Sequence, residues 1–288
     1  MFDFDILDSK TLLGESGFYL DRTNEIVFLD LIKPSIIFYS IDTKILTKLS
    51  LKLKKPLGNV YPLNDNNFII SSYEGMHIYN RKKKTLKYFN DIRKINELDN
   101  ISYNDGTISK NKLWIGLSHI KESKNLGYFG YLQNKNFVTI DKGFKVSNGP
   151  AIDEKKGYLY FSDSSKSCIY QYNLKNLKKK TLIKFKKNQG FPDGITLDNK
   201  NGLWVAHWAG GQVSRINLNS KKIDFNIKLP ALNVTSVTFV GKKLNHLFIT
   251  TAKIETSKTH LKNYKYSGSS FIIKTEYTGL KIPYHNMR

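Results

Sequence analysis

The sequence predicts an all-β protein, a six-bladed β-propeller, and three observations lead there. A short apolar strand recurs six times, centred on Val27, Ile69, Trp114, Tyr160, Trp204 and Phe248, at successive spacings of 42, 45, 46, 44 and 44 residues. Most copies are followed by a further strand with an aromatic or branched centre. Helical periodicity is nearly absent, with Ile92 to Leu98 the one short candidate. Four short strands per ~45 residues mark a blade repeat. A pair of large β-sandwiches is the competing all-β architecture, but sandwiches do not repeat so regularly. All-β chains of this length are often one domain, and residues 1–288 are read as one.

In chain order, EIVFLD is followed by SIIFYSI, NFIISS by MHIYN, and KLWIGL by GYFGYL. YLYFSD then precedes CIYQYNL, GLWVAH precedes QVSRINL, and HLFITT precedes SSFIIKT. Each segment is rich in β-branched and aromatic residues, which suit a pleated surface. The most informative copy is the fifth, Gly190 to Gly211. Pro192 fixes φ before Asp193 and Gly194 frees the backbone after it, so the acid is expected on a rigid loop corner. Ile195 to Asp198 alternates as a half-buried strand, Asn199 to Gly202 has turn chemistry, and Leu203 to Ala206 is a more buried strand. Gly210-Gly211 is too short for a phosphate loop and reads as a hairpin turn.

The formal charge of +22 raises the question of nucleic acid. Only five of the 46 basic residues are arginine, however: Arg22, Arg81, Arg93, Arg215 and Arg288. Arginine is the residue for bidentate phosphate and base contacts. The lysines are scattered, with short runs at Lys82–Lys84 and Lys178–Lys180 where hairpin turns belong. No nucleic-acid partner is expected. The single cysteine, Cys168, excludes an internal disulfide and a cysteine-rich zinc site. The N-terminus lacks the pattern of a signal peptide, and no apolar run approaches the ~18 residues of a membrane span. The expectation is a cytoplasmic protein without a membrane partner.

The repeat also selects candidate functional residues, because a residue at one fixed offset before each repeated strand recurs around the central channel. Glu15 lies 12 residues before Val27, Asn148 lies 12 before Tyr160, Asp193 lies 11 before Trp204, and Asn104 lies 10 before Trp114. The corresponding loops of the second and sixth blades are Gly58-Asn59 and Thr235-Ser236. Asn, Asp and Gly also form turns at blade entrances, which is the structural alternative. Oxygen ligands of mixed charge, without paired histidines or cysteines, suit a hard or borderline divalent cation. Calcium is the leading candidate, with magnesium, manganese or zinc as alternatives. His207 follows the Trp204 strand near the channel and is a candidate substrate contact. His119, after the Trp114 strand, is a weaker candidate of the same kind, and Glu122, in a loop that could face substrate, reads better as a solvated acid among lysines.

These residues carry a resemblance. The chain resembles the gluconolactonase and regucalcin (senescence marker protein) family of six-bladed metal-dependent lactonases, from about Leu13 to about Gly279. The most specific segments are FPDGITLDNKNGLWVAHWAGGQVSRIN, SNGPAIDEKKGYLYFSDSSKSCIYQYN, NDG at Asn104–Gly106 and TSVTFVG at Thr235–Gly241. The resemblance implies that Glu15, Asn148 and Asp193 hold one divalent metal and that Asn104 meets substrate or a metal-side water. It further implies a small lactone as substrate, with Asp193 as the base that takes the proton from water. Two departures stand out. Glu15-Ser16 is followed by Gly17-Phe18-Tyr19, where the family usually has a proline and a nearby tryptophan. Ser102 occupies the place of a substrate-holding arginine and is read as a substrate-facing residue. Those departures favour the alternative of a catalytically inert propeller that binds a ligand or protein; the retained trio favours an enzyme.

Overall fold

The computed structural model describes residues 3–95, 98–133 and 135–286. Strand β1 (Asp5–Leu7) precedes the first complete blade, β2 (Gly14–Leu20), β3 (Glu25–Asp30), β4 (Ser35–Ser40) and β5 (Leu46–Ser50). Blade 2 is β6 (Leu57–Pro62), β7 (Asn67–Ser72), β8 (Gly75–Asn80) and β9 (Thr85–Asn90). Blade 3 follows a short helix α1 (Ile92–Ile95) and comprises β10 (Ile101–Ser109), β11 (Lys112–His119), β12 (Gly127–Gln133) and β13 (Asn136–Phe144). Blade 4 is β14 (Ser147–Asp153), β15 (Tyr158–Asp163), β16 (Cys168–Asn173) and β17 (Lys179–Lys184). Blade 5 is β18 (Phe191–Leu197), β19 (Gly202–Trp208), β20 (Gln212–Asn217) and β21 (Lys222–Lys228). In blade 6, β22 (Asn233–Val240) and β23 (His246–Ala252) are separated by α2 (Lys258–Asn263) from β24 (Ser270–Lys274).

Each blade is a four-stranded antiparallel sheet in chain order except the last, whose order is β1-β24-β23-β22. Asp5 pairs with Ile272 and Leu7 with Ser270, so the first residues complete the final blade and tie the two ends of the ring together. The first strands of successive blades pack against one another all the way round, including β22 against β2. This is the expected six-bladed propeller. Val27, Ile69, Trp114, Tyr160, Trp204 and Phe248 all fall in the second strand of their blade.

Those second strands do not alternate because both faces of a blade are covered by its neighbours. Ile26, Val27, Phe28 and Leu29 are all fully buried, as are Leu203, Trp204, Val205 and Ala206. The outermost strands carry the charge: β17 reads KKTLIK and β21 reads KIDFNIK, with most of their lysines exposed. The four described arginines serve the fold. Arg81 makes a bidentate pair with Glu25 at 2.7 Å, Arg93 pairs with Asp91 at 2.9 Å, and buried Arg215 pairs with Asp198 and Asp224 at 2.6 Å each. Arg22 lies over the Tyr284 ring, 4.9 Å from its centroid.

One irregularity repeats in all six blades. The first strand bulges at the same place, where two of its residues oppose one on the second strand. The bulged pairs are Ser16-Gly17, Gly58-Asn59, Asn104-Asp105, Gly149-Pro150, Asp193-Gly194 and Thr235-Ser236. A bulge re-aims its side chains and bends the strand. Glu15 and Asn148 directly precede their bulges, whereas Asn104 and Asp193 open theirs. Asp193 therefore lies inside strand β18 and is buried, not on an exposed loop corner.

The opposite end of the channel is strapped by the C-terminal segment. Asn199 N–H donates to the Thr278 carbonyl at 2.8 Å, Gly279 N–H to Leu244 at 2.8 Å, and His285 N–H to Pro62 at 2.9 Å. Lys281 pairs with Asp21 at 2.5 Å, and Asn286 exchanges two hydrogen bonds with Asn111. Blades 1, 2, 3, 5 and 6 are all gripped by this strap. The anticipated helix begins at Ile92 as expected; residues 96 and 97 lie outside the described residues. Helix α2, capped by the Ser257 hydroxyl accepting from His260 N–H at 3.1 Å, was not anticipated.

Candidate active site

The bulges face a cavity of about 300 Å³ at the end of the ring opposite the strap. Glu15 reaches it from blade 1, Asn104 from blade 3, Asn148 from blade 4 and Asp193 from blade 5. All four residues selected by the repeat offset line this one space. Two others do not. His207 is fully buried, its Nε2 lies 2.6 Å from the Ser214 hydroxyl, and its ring meets Phe185 edge-on. The residue that reaches the cavity from that strand is the next one, Trp208. Strand alternation sends neighbouring side chains to opposite faces, which is why a single residue decides the matter. Ser102 is buried in the β10–β11 ladder opposite Ser118, with its hydroxyl 3.5 Å from the Ser118 carbonyl. It is not part of the cavity wall.

A chain of hydrogen bonds fixes the donor atoms. Asn104 Nδ2 donates to Asn148 Oδ1 and to the Ser147 carbonyl, both at 2.6 Å. Asn148 Nδ2 donates to the Ser164 hydroxyl at 2.8 Å, which donates to the Pro192 carbonyl at 2.6 Å beside Asp193. Blades 3, 4 and 5 are thereby joined in one network. On the other side, Ser16 Oγ donates to Asn59 Oδ1 at 2.6 Å, and Asn59 Nδ2 donates to the Gly106 carbonyl at 3.1 Å. Glu15 accepts from the Ser16 backbone N–H at 3.0 Å and from the Ser236 hydroxyl. Gly194, next to Asp193, has no room for a side chain: a Cβ there would stand 2.8 Å from the Ser236 Cβ and 3.0 Å from the Thr235 carbonyl oxygen.

The electrostatics point to missing positive charge. Glu15 and Asp193 are each 5% exposed and Asp105 is 7% exposed. Burial, then the charges of Asp105 and Asp193, push the Glu15 carboxyl well above its ordinary range. Burial, then Asp105 and Glu122, do the same to Asp193. Asp105 is raised to about 7 by burial, against the opposing hydrogen bond from Gly149 N–H at 3.1 Å. Among the described residues no lysine, arginine or histidine lines the cavity. Three buried carboxylates without a counter-charge are costly, and a bound cation relieves them. Glu15, Asp193 and the amide oxygen of Asn148 form an all-oxygen set of the kind hard cations take. Among the described residues no three Asp, Glu, His or Cys side chains form a metal cluster by themselves, so this set depends on the Asn148 amide.

Sequence reasoning missed Asp105, although it sits inside the NDG segment, because the repeat offset singled out its neighbour Asn104. It placed Glu122 among solvated acids, whereas Glu122 lines the cavity together with Glu255. His119 has a supporting role, since its Nδ1 accepts from the Ser123 and Lys124 N–H groups at 3.2 and 3.3 Å and so holds the Glu122 loop. Beneath the cavity the channel narrows to a space of about 60 Å³ bounded by Ser16, Asn59, Asp105 and Ser236, with Ile282 of the strap below.

A propeller with this bulged, acid-lined mouth offers a concave polar site at one end of its ring, and comparison with known proteins shows its family. Residues 13–253 match the model of the SMP-30/Gluconolactonase/LRE-like region, and the chain belongs to that family. It is similar to regucalcin of Danio rerio, 24% identical over 286 residues that cover 96% of this chain and 94% of the relative. It is also similar to the 6-deoxy-6-sulfogluconolactonase of Pseudomonas putida, 27% identical over 188 residues, 63% of this chain and 64% of the relative. In fold it resembles the crystal structure of a calcium-binding protein, regucalcin, from Agrobacterium tumefaciens, with a TM-score of 0.91, 17% identity, and coverage of 99% and 98% of the two chains. No helix among the described residues is long and apolar enough to cross a membrane.

Proposed function

We propose that this protein is a lactonase that opens a small lactone with water, and that it works as one propeller domain holding one divalent cation. The observation that carries the proposal is the meeting of Glu15, Asn104, Asn148 and Asp193, from four blades, in one cavity with no basic residue among those described. The membership of lactonases in the same family supports it. Glu15, Asn148 and Asp193 would hold the ion, calcium first, with magnesium, manganese or zinc as alternatives. When bound, such an ion supplies charge stabilisation for a developing oxyanion and makes water more acidic.

The protein's own residues do the rest. The Asp193 carboxylate takes a proton from the attacking water and returns it to the ring oxygen as the ester C–O bond breaks, leaving a hydroxy acid. Burial, then the charges of Asp105 and Glu122, raise its basicity, which favours a carboxylate that takes a proton from water. Asn104 is fixed by its bonds to Asn148 and Ser147, which leaves its side-chain oxygen to orient substrate or water. Leu13, Leu31, Val146 and Ile254 wall the space and keep bulk water from the reacting ester.

The test is acid release from a panel of lactones by the calcium-loaded protein and by Asp193→Asn. Metal-dependent opening that the substitution suppresses supports the proposal. Equal rates in the two proteins would remove Asp193 from the base role. The same cavity in a protein that opens no lactone but binds one would favour the inert-propeller alternative.

A further inference from the structure

The cavity mouth has a charge opposite to that of the protein around it. The chain carries a formal +22, yet among the described residues the cavity is lined by four carboxylates and no basic side chain. Glu15 and Asp193 are engaged by the candidate cation, which leaves Glu122 and Glu255 over. These two come from different blades, Glu122 from the β11–β12 loop of blade 3 and Glu255 from the segment after β23 of blade 6. The two face each other across the mouth: burial first, and then the Glu255 charge, raise the Glu122 carboxyl. Lys121, Lys124 and Lys253 flank the two acids in sequence, but none of them reaches the cavity wall.

The backbone holds both acids in an unfavourable conformation. Glu122 has φ of 50° and Glu255 of 55°, and they are the only acidic residues among the described non-glycine residues with positive φ. That left-handed region is disfavoured for a residue with a Cβ, and such strain gathers at functional sites. On the Glu122 side it is maintained by Glu122 N–H donating to the His119 carbonyl at 2.7 Å, together with the two N–H bonds to His119 Nδ1. A third component is aromatic. Phe191 and Trp208 are a cross-strand pair at the cavity end of blade 5, both lining the space, with Phe191 40% exposed. Carboxylates that accept hydrogen bonds beside aromatic faces form the chemistry that recognises an ammonium group.

We infer that the substrate of this cavity is a lactone bearing a primary ammonium group, held at the mouth by Glu122 and Glu255 against Phe191 and Trp208. Lactones bearing a carboxylate, sulfonate or phosphate are turned away there. This rests on the lactone-opening reading of the site and narrows it to a substrate class. No covalent step beyond hydrolysis is added.

Three γ-lactones that share a ring and differ in charge test it: α-amino-γ-butyrolactone, γ-butyrolactone, and γ-butyrolactone carrying a carboxylate on its γ carbon. Hydrolysis by the calcium-loaded protein is measured at a pH where the amine is protonated. Two carboxylates at a partly screened mouth should favour the ammonium lactone over the carboxylate lactone in kcat/KM by roughly 10- to 100-fold, less at high salt. The E122Q/E255Q double variant should shrink that ratio to a few-fold, and E255Q alone, at an exposed position, should lower it part-way. A ratio near one in the native protein, a preference for the carboxylate, or a ratio unmoved in the variants would overturn the inference. Binding of the matching lactams, which resist hydrolysis, separates the two levels of the argument. If no lactone is opened yet the ammonium lactam binds tightest, the lactonase reading fails and the charge preference stands. Lactam binding that ignores charge ends the inference, whatever the turnover.

Discussion

Replacing Asp193 with Asn is nearly isosteric, keeps one side-chain oxygen in the cavity and removes a negative charge. In the structure that carboxylate is 5% exposed, accepts the Gly194 backbone N–H, and is raised by burial and by its acidic neighbours Asp105 and Glu122. As the base, its loss should lower kcat by a factor on the order of 10² to 10⁴, equivalent to about 3 to 5 kcal/mol of barrier. Saturating calcium should restore occupancy without restoring the rate, which separates loss of the base from loss of the ion. Stability should change in the other direction. A carboxyl raised in the folded state contributes stability below its unfolded pKa of 3.8 and loses it as pH rises through the folded value. Without cation, the Asn variant should therefore melt no lower than the native protein at pH 8, and the two should converge at acid pH. The assay pairs acid release at saturating calcium with cation-free thermal melts at both pH values. Native turnover at saturating calcium would refute the base assignment. A variant that melts far below the native protein would make Asp193 a structural residue instead.

The remaining predictions follow from the same burial arguments. Asp105, moved from 3.8 to about 7 by burial, should cost the cation-free protein about 4 kcal/mol as pH rises through that window; Asp105→Asn should flatten the profile in urea melts at pH 5 and 8. His207, lowered from 6.5 to about 4 chiefly by burial, lends stability that is present above pH 6.5 and lost as pH falls through 4. His207→Gln should remove about 3 kcal/mol of that acid sensitivity, read from denaturant midpoints at pH 7 and pH 4. Ending the chain at Glu276 removes the strap, including Tyr277, whose ring packs 5.4 Å from Trp204 and 4.2 Å from Arg215. The expected loss is about 3 kcal/mol or more, and an unchanged melting temperature would show that the blades close without it.

How far the sequence could be read follows from what repeats and what does not. The six second strands were legible because each is covered on both faces and must be apolar in every blade. Strand β1 was not, since a three-residue strand closing blade 6 from the far end of the chain has no copy with which to be compared. Glu15, Asn104, Asn148 and Asp193 were found by offset, yet their offsets differ by up to two residues, because the turn joining the first and second strands differs in length; each lies just before the ladder partner of its strand centre, Phe18, Thr107, Ala151 or Thr196. Asp105 was hidden because burial among other acids is a property of the closed ring. His207 was misplaced by one step of strand alternation, and Trp208 was overlooked for the same reason. Glu122 and Glu255 come together only through the ring, across 133 residues of sequence.

The central claim is that Glu15, Asn148 and Asp193 hold one divalent ion at which a lactone is opened. The most direct test is a titration of calcium, magnesium, manganese and zinc into the metal-free protein, following acid release across a lactone panel and heat of binding in the same samples. The account predicts one ion bound per chain, turnover that rises with its occupancy, and loss of both in Glu15→Gln. Lactone opening that is indifferent to all four ions, or stoichiometric binding that survives Glu15→Gln unchanged, would contradict it.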